Sequence, residues 1–185
     1  MSHQHSLVSP SAAERWLACP PSVRLSEQYP KRTSAEADEG TQAHAIAAAK
    51  LLGEIYERAD HSMDWYTDRY VEYVRGLCSA YADKGEYITL MVEEPLDLTA
   101  WIPEGKGFAD CIIVTTNGLH VIDLKYGMGV PVHAARNPQM RLYALGAYRA
   151  LTGIYDNLIN VRYSIAQPRL YSYSTEETTI DELRD

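Results

Sequence analysis

Hydrophobic and polar positions follow two different periods along the chain, and the change of period divides it. Ser9-Pro10-Ser11 opens a first helix, with Pro at the first helical position and Ser11 and Glu14 spaced for a capping box. Cys19-Pro20-Pro21 stops it, because a proline ring blocks the preceding turn. A short helix resumes over residues 22–28. Ala43, Ala45, Ala47, Ala48 and Ala49 favour a second long helix within residues 35–52. A third covers about residues 64–84, where Tyr66, Tyr70, Tyr73, Val74, Leu77 and Tyr81 fall on one stripe.

Beyond residue 86 the pattern favours strands. Residues 87–98 and 106–115 are rich in β-formers, and Thr116-Asn117-Gly118 is a hairpin signal, Asn-Gly accepting the positive φ of tight turns. Residues 119–126 form the returning strand, broken by Gly127-Met128-Gly129. Asn137 caps and Pro138 opens a helix to about Leu151, ending near Gly153. Residues 158–166 read as the last strand. The order predicts an α/β (α+β) domain with a small mixed central sheet flanked by helices. A single domain is expected over residues 1–185, with a helical part at about 9–84 and an α/β core at about 86–166.

Composition narrows the function classes. The 185 residues are 46% hydrophobic and 23% charged, ordinary for a folded domain. Three Cys exclude a disulfide framework and suit a reducing compartment, so a cytoplasmic location is expected. No run of about 20 apolar residues predicts a membrane span, and residues 1–9 lack the apolar core of a signal peptide. The net charge of −8 argues against a protein that simply coats nucleic acid.

The strand pair around Asn-Gly carries the chemistry. One strand holds Gly107-Phe108-Ala109-Asp110, the other Val121-Ile122-Asp123-Leu124-Lys125-Tyr126. Side chains alternate along a strand, so Asp123 and Lys125 project from one face, and hairpin pairing brings Asp110 beside them. Two carboxylates and an ammonium among apolar residues are costly unless paired or ligated. Two oxygen donors suit Mg²⁺ or Mn²⁺, and Lys125 is placed to orient a water or offset transition-state charge. A structural ion pair on an exposed sheet face is the plainer alternative. In the following helix Gln139 and Tyr143 share a face, with Gln139 in the first turn, where free N–H groups favour an anion.

The order Gly-x-x-Asp, Asp-x-Lys, Gln-x-x-x-Tyr resembles the RecB-like branch of the PD-(D/E)XK nucleases. Two further elements are similar to that branch: Glu39-Gly40-Thr41-Gln42-Ala43-His44, which matches its upstream histidine, and Leu7-Val8-Ser9-Pro10-Ser11 followed by Trp16-Leu17-Ala18-Cys19-Pro20, which matches its first motif. The likeness extends to a phage and prophage family of CRISPR-adaptation-type nucleases and covers about residues 7–148. It implies a restriction-endonuclease-like core with added N-terminal helices and a Mg²⁺- or Mn²⁺-dependent deoxyribonuclease, an exonuclease in recombination, repair or replication. His44, Asp110, Asp123 and the Leu124 carbonyl would be metal ligands, and Lys125 the catalytic lysine beside Asp110 and Asp123. Gln139, Tyr143 and Arg141 would face the substrate. Single- or double-stranded DNA would be the partner, together with a second copy of the chain or a phage recombination protein. The alternative is a non-catalytic DNA-binding or assembly module on the same fold.

Many relatives also carry a 4Fe–4S cluster held by four Cys. Cys19 matches the first of them, whereas Cys78 and Cys111 fall in a helix and a strand, so no cluster is expected. The end at Leu183-Arg184-Asp185 is then expected to be a truncation before that segment. The charge distribution favours a phosphodiester more than the total does. Residues 125–171 hold Lys125, Arg136, Arg141, Arg149, Arg162 and Arg169 against Asp156 alone, whereas residues 172–185 form an acidic tail.

Overall fold

The computed structural model describes residues 8–29, 34–57 and 60–184. A 3-10 turn (Pro10–Ala12) leads into α1 (Ala13–Ala18) and α2 (Ser22–Glu27), followed by the long helices α3 (Ala35–Leu52) and α4 (His61–Ala82). The strand region comprises β1 (Ile88–Asp97), β2 (Lys106–Thr115), β3 (Gly118–Leu124), α5 (Pro138–Leu151), β4 (Asn160–Gln167), a 3-10 turn (Pro168–Leu170), β5 (Ser172–Thr179) and α6 (Ile180–Arg184). The result is a mixed five-stranded sheet flanked by helices, the class expected from the pattern. No helix among the described residues is long and apolar enough to cross a membrane.

Strand order follows the chain, β1-β2-β3-β4-β5. β3 and β4 are the parallel pair and every other neighbour is antiparallel. A parallel neighbour requires a crossover, and α5 supplies it. β3 is central and all seven of its residues are buried. Alternation splits its side chains: Leu119 and Val121 join the core under α5, while Ile122 and Leu124 join the core under α3 and α4. The α4 stripe packs as its spacing predicts, with Tyr70, Val74 and Tyr81 buried against the sheet. Lys50 ties α3 to α4, its Nζ lying 2.7 Å from Asp68 Oδ1, 2.9 Å from Thr67 Oγ1 and 3.0 Å from Asp64 Oδ1.

Four local expectations are corrected. The Ser11–Glu14 capping box does not form, because Pro10–Ala12 is a 3-10 turn and α1 starts at Ala13 with no side-chain cap. α4 starts three residues earlier than expected, where Asp60 accepts from the N–H groups of Ser62 and Met63. Neither Asn117 nor Gly118 is left-handed; the loop residues are Thr116 and Asn117. Gly118 is needed for another reason: a Cβ there would stand 2.1 Å from the Asn160 carbonyl oxygen of β4. Finally, β4 is not the last strand. β5 pairs along its full length, from Asn160↔Thr179 to Gln167↔Ser172. Its Ser-Tyr-Ser-Thr-Glu-Glu-Thr-Thr sequence lacks apolar alternation. Cross-strand polar contacts hold it: Arg162 to Glu177 at 2.9 Å, Tyr163 Oη to Glu176 at 2.8 Å and Ser164 Oγ to Thr175 Oγ1 at 2.6 Å.

β3 buries one imidazole, His120, between Tyr81 Oη (2.9 Å from Nδ1) and Ser164 Oγ (2.7 Å from Nε2). Burial, reinforced by nearby Arg162, lowers its pKa to about 3. An unfolded His titrates near 6.5. Between those values the unfolded chain binds a proton that the folded chain refuses, so His120 makes stability fall as pH drops from about 6.5 toward 3. A His120→Gln variant is expected to be less stable than wild type at pH 8, with the gap narrowing by pH 5. Urea midpoints at both pH values check this, and a constant gap would contradict it. Gly118→Ala is expected to destabilise by about 1–3 kcal/mol, because the β4 backbone must shift. Gly76→Ala, on an exposed and open stretch of α4, is expected to stabilise by about 0.5–1 kcal/mol in the same assay.

Candidate metal centre

The site begins where two strands part. β2 pairs with β1 from end to end except at Asp110, but its ladder with β3 ends at Cys111↔Ile122. Asp110 and Asp123 would have been the next pair. Instead β3 continues on β4 alone, through Asp123↔Ile165 and Leu124↔Ala166. The Lys125 N–H points to the Ala166 oxygen of β4, so the Leu124 N–H one residue back points to β2. Asp110 Oδ2 accepts it at 2.6 Å. A side-chain carboxylate thus takes the place of a ladder carbonyl, and the fork opens a cleft of about 650 Å³.

Other elements line that cleft with the two strands. Ala37, Gly40, Thr41 and His44 of α3 recur at helical spacing on one face, Gln139 and Tyr143 come from α5, and Ser9, Pro10 and Ser11 come from the N-terminal turn. Gly107 lets α5 close on β2: a Cβ there would stand 2.7 Å from Tyr143 Cε1 and 3.3 Å from Pro10 Cγ. Leu7, the first residue of the opening motif, lies outside the described residues.

The expected residues divide into two groups. His44 Nδ1 stands 3.0 Å from Asp110 Oδ1. Asp123, only 2% exposed, accepts from Gln139 Nε2 on Oδ1 at 2.7 Å, while Lys125 Nζ lies 2.8 Å from Oδ2 and 2.9 Å from Gln139 Oε1. Lys125 is thus the charge partner of the buried Asp123 Oδ2, as Gln139 is the amide partner of Oδ1. Leu124 enters through its backbone N–H, with its side chain in the core beneath α4. Tyr143 is buried at the cleft wall.

Arg141, expected at the substrate, does not line the cleft. It is two positions from both Gln139 and Tyr143, about 200° round the helix, and its guanidinium reaches the Leu183 carbonyl at 3.4 Å. The basic stretch is also dispersed rather than gathered. Lys125 pairs with Asp123, Arg149 with Asp97, Arg162 with Glu177 and Arg169 with Glu39. Cys19 is exposed at the end of α1, whereas Cys78 and Cys111 lie between α4 and the sheet.

Glu93 of β1 is the residue that sequence reasoning missed. Among the described residues, His44, Glu93 and Asp110 form a group whose ligand atoms all lie within 4.8 Å of one another. Asp123 stands outside that group. Constant register places Glu93 opposite Asp110, yet the ladder passes from Val92↔Cys111 to Glu94↔Ala109 without that pair. Glu93 is left-handed there, at φ 54°, a conformation costing a non-glycine residue about 1–2 kcal/mol. The available signal was the Glu93-Glu94 pair in the strand before the one that carries Asp110, and it reads equally as a solvated strand face.

The ionisable groups of the cleft shift one another. Burial raises the Glu93 carboxyl, and Asp110 raises it further. Burial would lower His44, but Asp110 and Asp123 outweigh it and push it up to about 9. Lys125 is likewise raised by Asp123 and Asp110 against its burial. Carboxylates of Glu93, Asp110 and Asp123 and one imidazole around a single cleft fit a hard divalent cation such as Mg²⁺ or Mn²⁺. Gln139→Leu is expected to destabilise the protein by about 2–3 kcal/mol, because it strips a charge-assisted partner from both Asp123 and Lys125. Urea unfolding measures this, and a loss under about 0.5 kcal/mol would deny Gln139 that bridging role.

The carboxylate fork thus sits in a chain whose relatives can be stated. From residue 5 to residue 185 the sequence matches the family described as "Protein of unknown function (DUF2800)", and the chain belongs to that family.

Proposed function

We propose that the cleft is the active site of a divalent-cation-dependent phosphodiesterase acting on DNA. The observation carrying this reading is the convergence of His44, Asp110, Asp123, Lys125 and Gln139 on one cleft from α3, both strands of the fork and α5. The ordered motifs that resemble the RecB-like nucleases support it, and so does the donor set. His44 and the carboxylates of Asp110 and Asp123 would hold the cation, with Lys125 beside Asp123. A divalent cation held by these residues would supply Lewis-acid polarisation of a phosphate and a more acidic bound water.

The chain's own residues account for the remaining roles. Lys125 has a raised pKa and stays an ammonium at neutral pH, so it serves as a fixed positive charge rather than a general base. Gln139 locks Lys125 and Asp123 into one unit, so that charge needs no rearrangement during reaction. Lys106 adds a second cation along the wall for a phosphate. Because most of the Arg residues after β3 are already paired, phosphate recognition is concentrated at the cleft and not spread over a basic surface.

With Mg²⁺ or Mn²⁺ present, the protein is expected to cleave single- or double-stranded DNA, and excess chelator is expected to abolish cleavage. Lys125→Ala is expected to lower the rate by about 10²–10³. The assay is release of labelled nucleotides, with Lys125→Ala purified in parallel. Wild-type activity no greater than the Lys125→Ala background would refute the enzymatic reading. Metal-independent, salt-sensitive DNA retention without cleavage would instead identify a binding module.

A further inference from the structure

We infer that Gly40 is a substrate-contact residue: the sugar and base beside the scissile phosphate lie on bare α3 backbone there, in space that any side chain would fill. The inference rests on the phosphodiesterase reading of the cleft and adds to it the element that receives the nucleoside. Three observations carry it.

The first is that the fold has no need of this glycine. A Cβ at Gly107 would stand 2.7 Å from Tyr143, and one at Gly118 would stand 2.1 Å from Asn160, so packing requires both. At Gly40 a Cβ would meet nothing within 4 Å, and φ is not positive. Yet Gly40 sits in the second turn of α3. Glycine is the poorest helix former after proline, because its backbone has the most freedom to lose. At this position α3 gives up helix stability and gains no turn, no close approach and no contact within the chain.

The second is direction. Gly40 lines the cleft with Ala37, Thr41 and His44. It lies one turn before His44, about 6 Å along the helix axis, and His44 reaches Asp110 at 3.0 Å. Gly76 of α4 is equally open, but it faces solvent and does not line the cleft. An open glycine on α3 therefore faces the space in which a phosphodiester would sit.

The third is the chemistry of the wall. The two ammonium groups of the cleft, Lys106 and Lys125, stand at the start of β2 and just after β3. On α3, Ala37 and Gly40 carry no polar side chain, and Thr41 turns its hydroxyl back to donate to the Ala37 carbonyl at 2.9 Å. Up to His44, this face offers van der Waals contact and no charge. A nucleotide is divided in the same way, into an anionic phosphate and an uncharged nucleoside. A phosphate drawn to Lys125 leaves its nucleoside to α3, and a helix without a Cβ at that point lets it approach closely.

A contact of this kind separates stability from function. The experiment compares wild type with Gly40→Ala, Gly40→Leu and Gly76→Ala. It reads Tm without DNA, Mn²⁺ affinity by calorimetry, and kcat and KM for cleavage of a labelled oligonucleotide. Ala and Leu are strong helix formers, so both Gly40 variants are expected to match or exceed the wild-type Tm. KM is expected to rise a few-fold for Gly40→Ala and at least about tenfold for Gly40→Leu, with a far smaller loss of Mn²⁺ affinity. Gly76→Ala is expected to raise Tm and leave KM as it is. A lower Tm for Gly40→Ala would show that α3 needs this glycine for its own structure and would overturn the inference. A wild-type KM in Gly40→Leu would overturn it too, and would leave the phosphodiesterase reading intact. An equal loss of Mn²⁺ affinity in Gly40→Leu would assign the effect to His44, one turn away, and deny the substrate contact. Absence of cleavage by wild type with Mn²⁺ would remove the phosphodiesterase reading and the contact with it.

Discussion

Once β2 and β3 diverge, the Leu124 N–H faces a strand that no longer offers it a carbonyl, and Asp110 supplies the acceptor at 2.6 Å. Much of the site depends on this substitution. A buried N–H left without a partner carries a desolvation cost of about 1–3 kcal/mol, so a fork in the middle of a fully buried strand needs such a replacement. The carboxylate satisfies the amide with one oxygen and presents the other to His44. It also keeps the strands apart, which leaves room for Asp123, Lys125 and the first turn of α5. Closing the ladder by one more pair would bring the Asp110 and Asp123 side chains face to face and remove the cleft.

The charges around the fork balance in pairs. Gln139 holds Asp123 and Lys125 together from α5, and α3 brings His44 to Asp110. These contacts tie helices from both faces of the sheet to two adjacent strands. The electrostatic consequence is consistent across the group: Glu93 is raised by burial, while His44 and Lys125 are raised by carboxylates that outweigh burial. The two cation shifts report carboxylates held at close range in a confined volume, and that arrangement underlies the proposed cation site.

The polar chain through Tyr81, His120, Ser164 and Thr175 does similar work away from the cleft. It satisfies an imidazole in the middle of β3 and extends sideways into β5, whose polar sequence would not form a strand by itself. The edge of the sheet is therefore fixed by hydrogen bonds and ion pairs. These use up Arg162, which a count along the sequence assigns to a basic surface.

The sequence by itself determined α1 to α5, the first four strands, and the order of Asp110, Asp123, Lys125, Gln139 and Tyr143 along adjacent elements. Those features follow from periodicity and local propensity, which act over a few residues. It also determined that Asp123 and Lys125 share a face, because alternation on a strand is local geometry. Only the tertiary structure decided where the β2–β3 ladder stops, because that depends on which pairings compete across the sheet. From that stopping point follow the opening of the cleft and the separation of Asp123 from the His44–Glu93–Asp110 group. The role of Gly118 was equally hidden, since it depends on β4, more than forty residues along the chain. The same holds for β5 and the partners of the Arg residues: polar cross-strand pairing leaves no periodic trace, and ion pairs form between segments that only folding brings together.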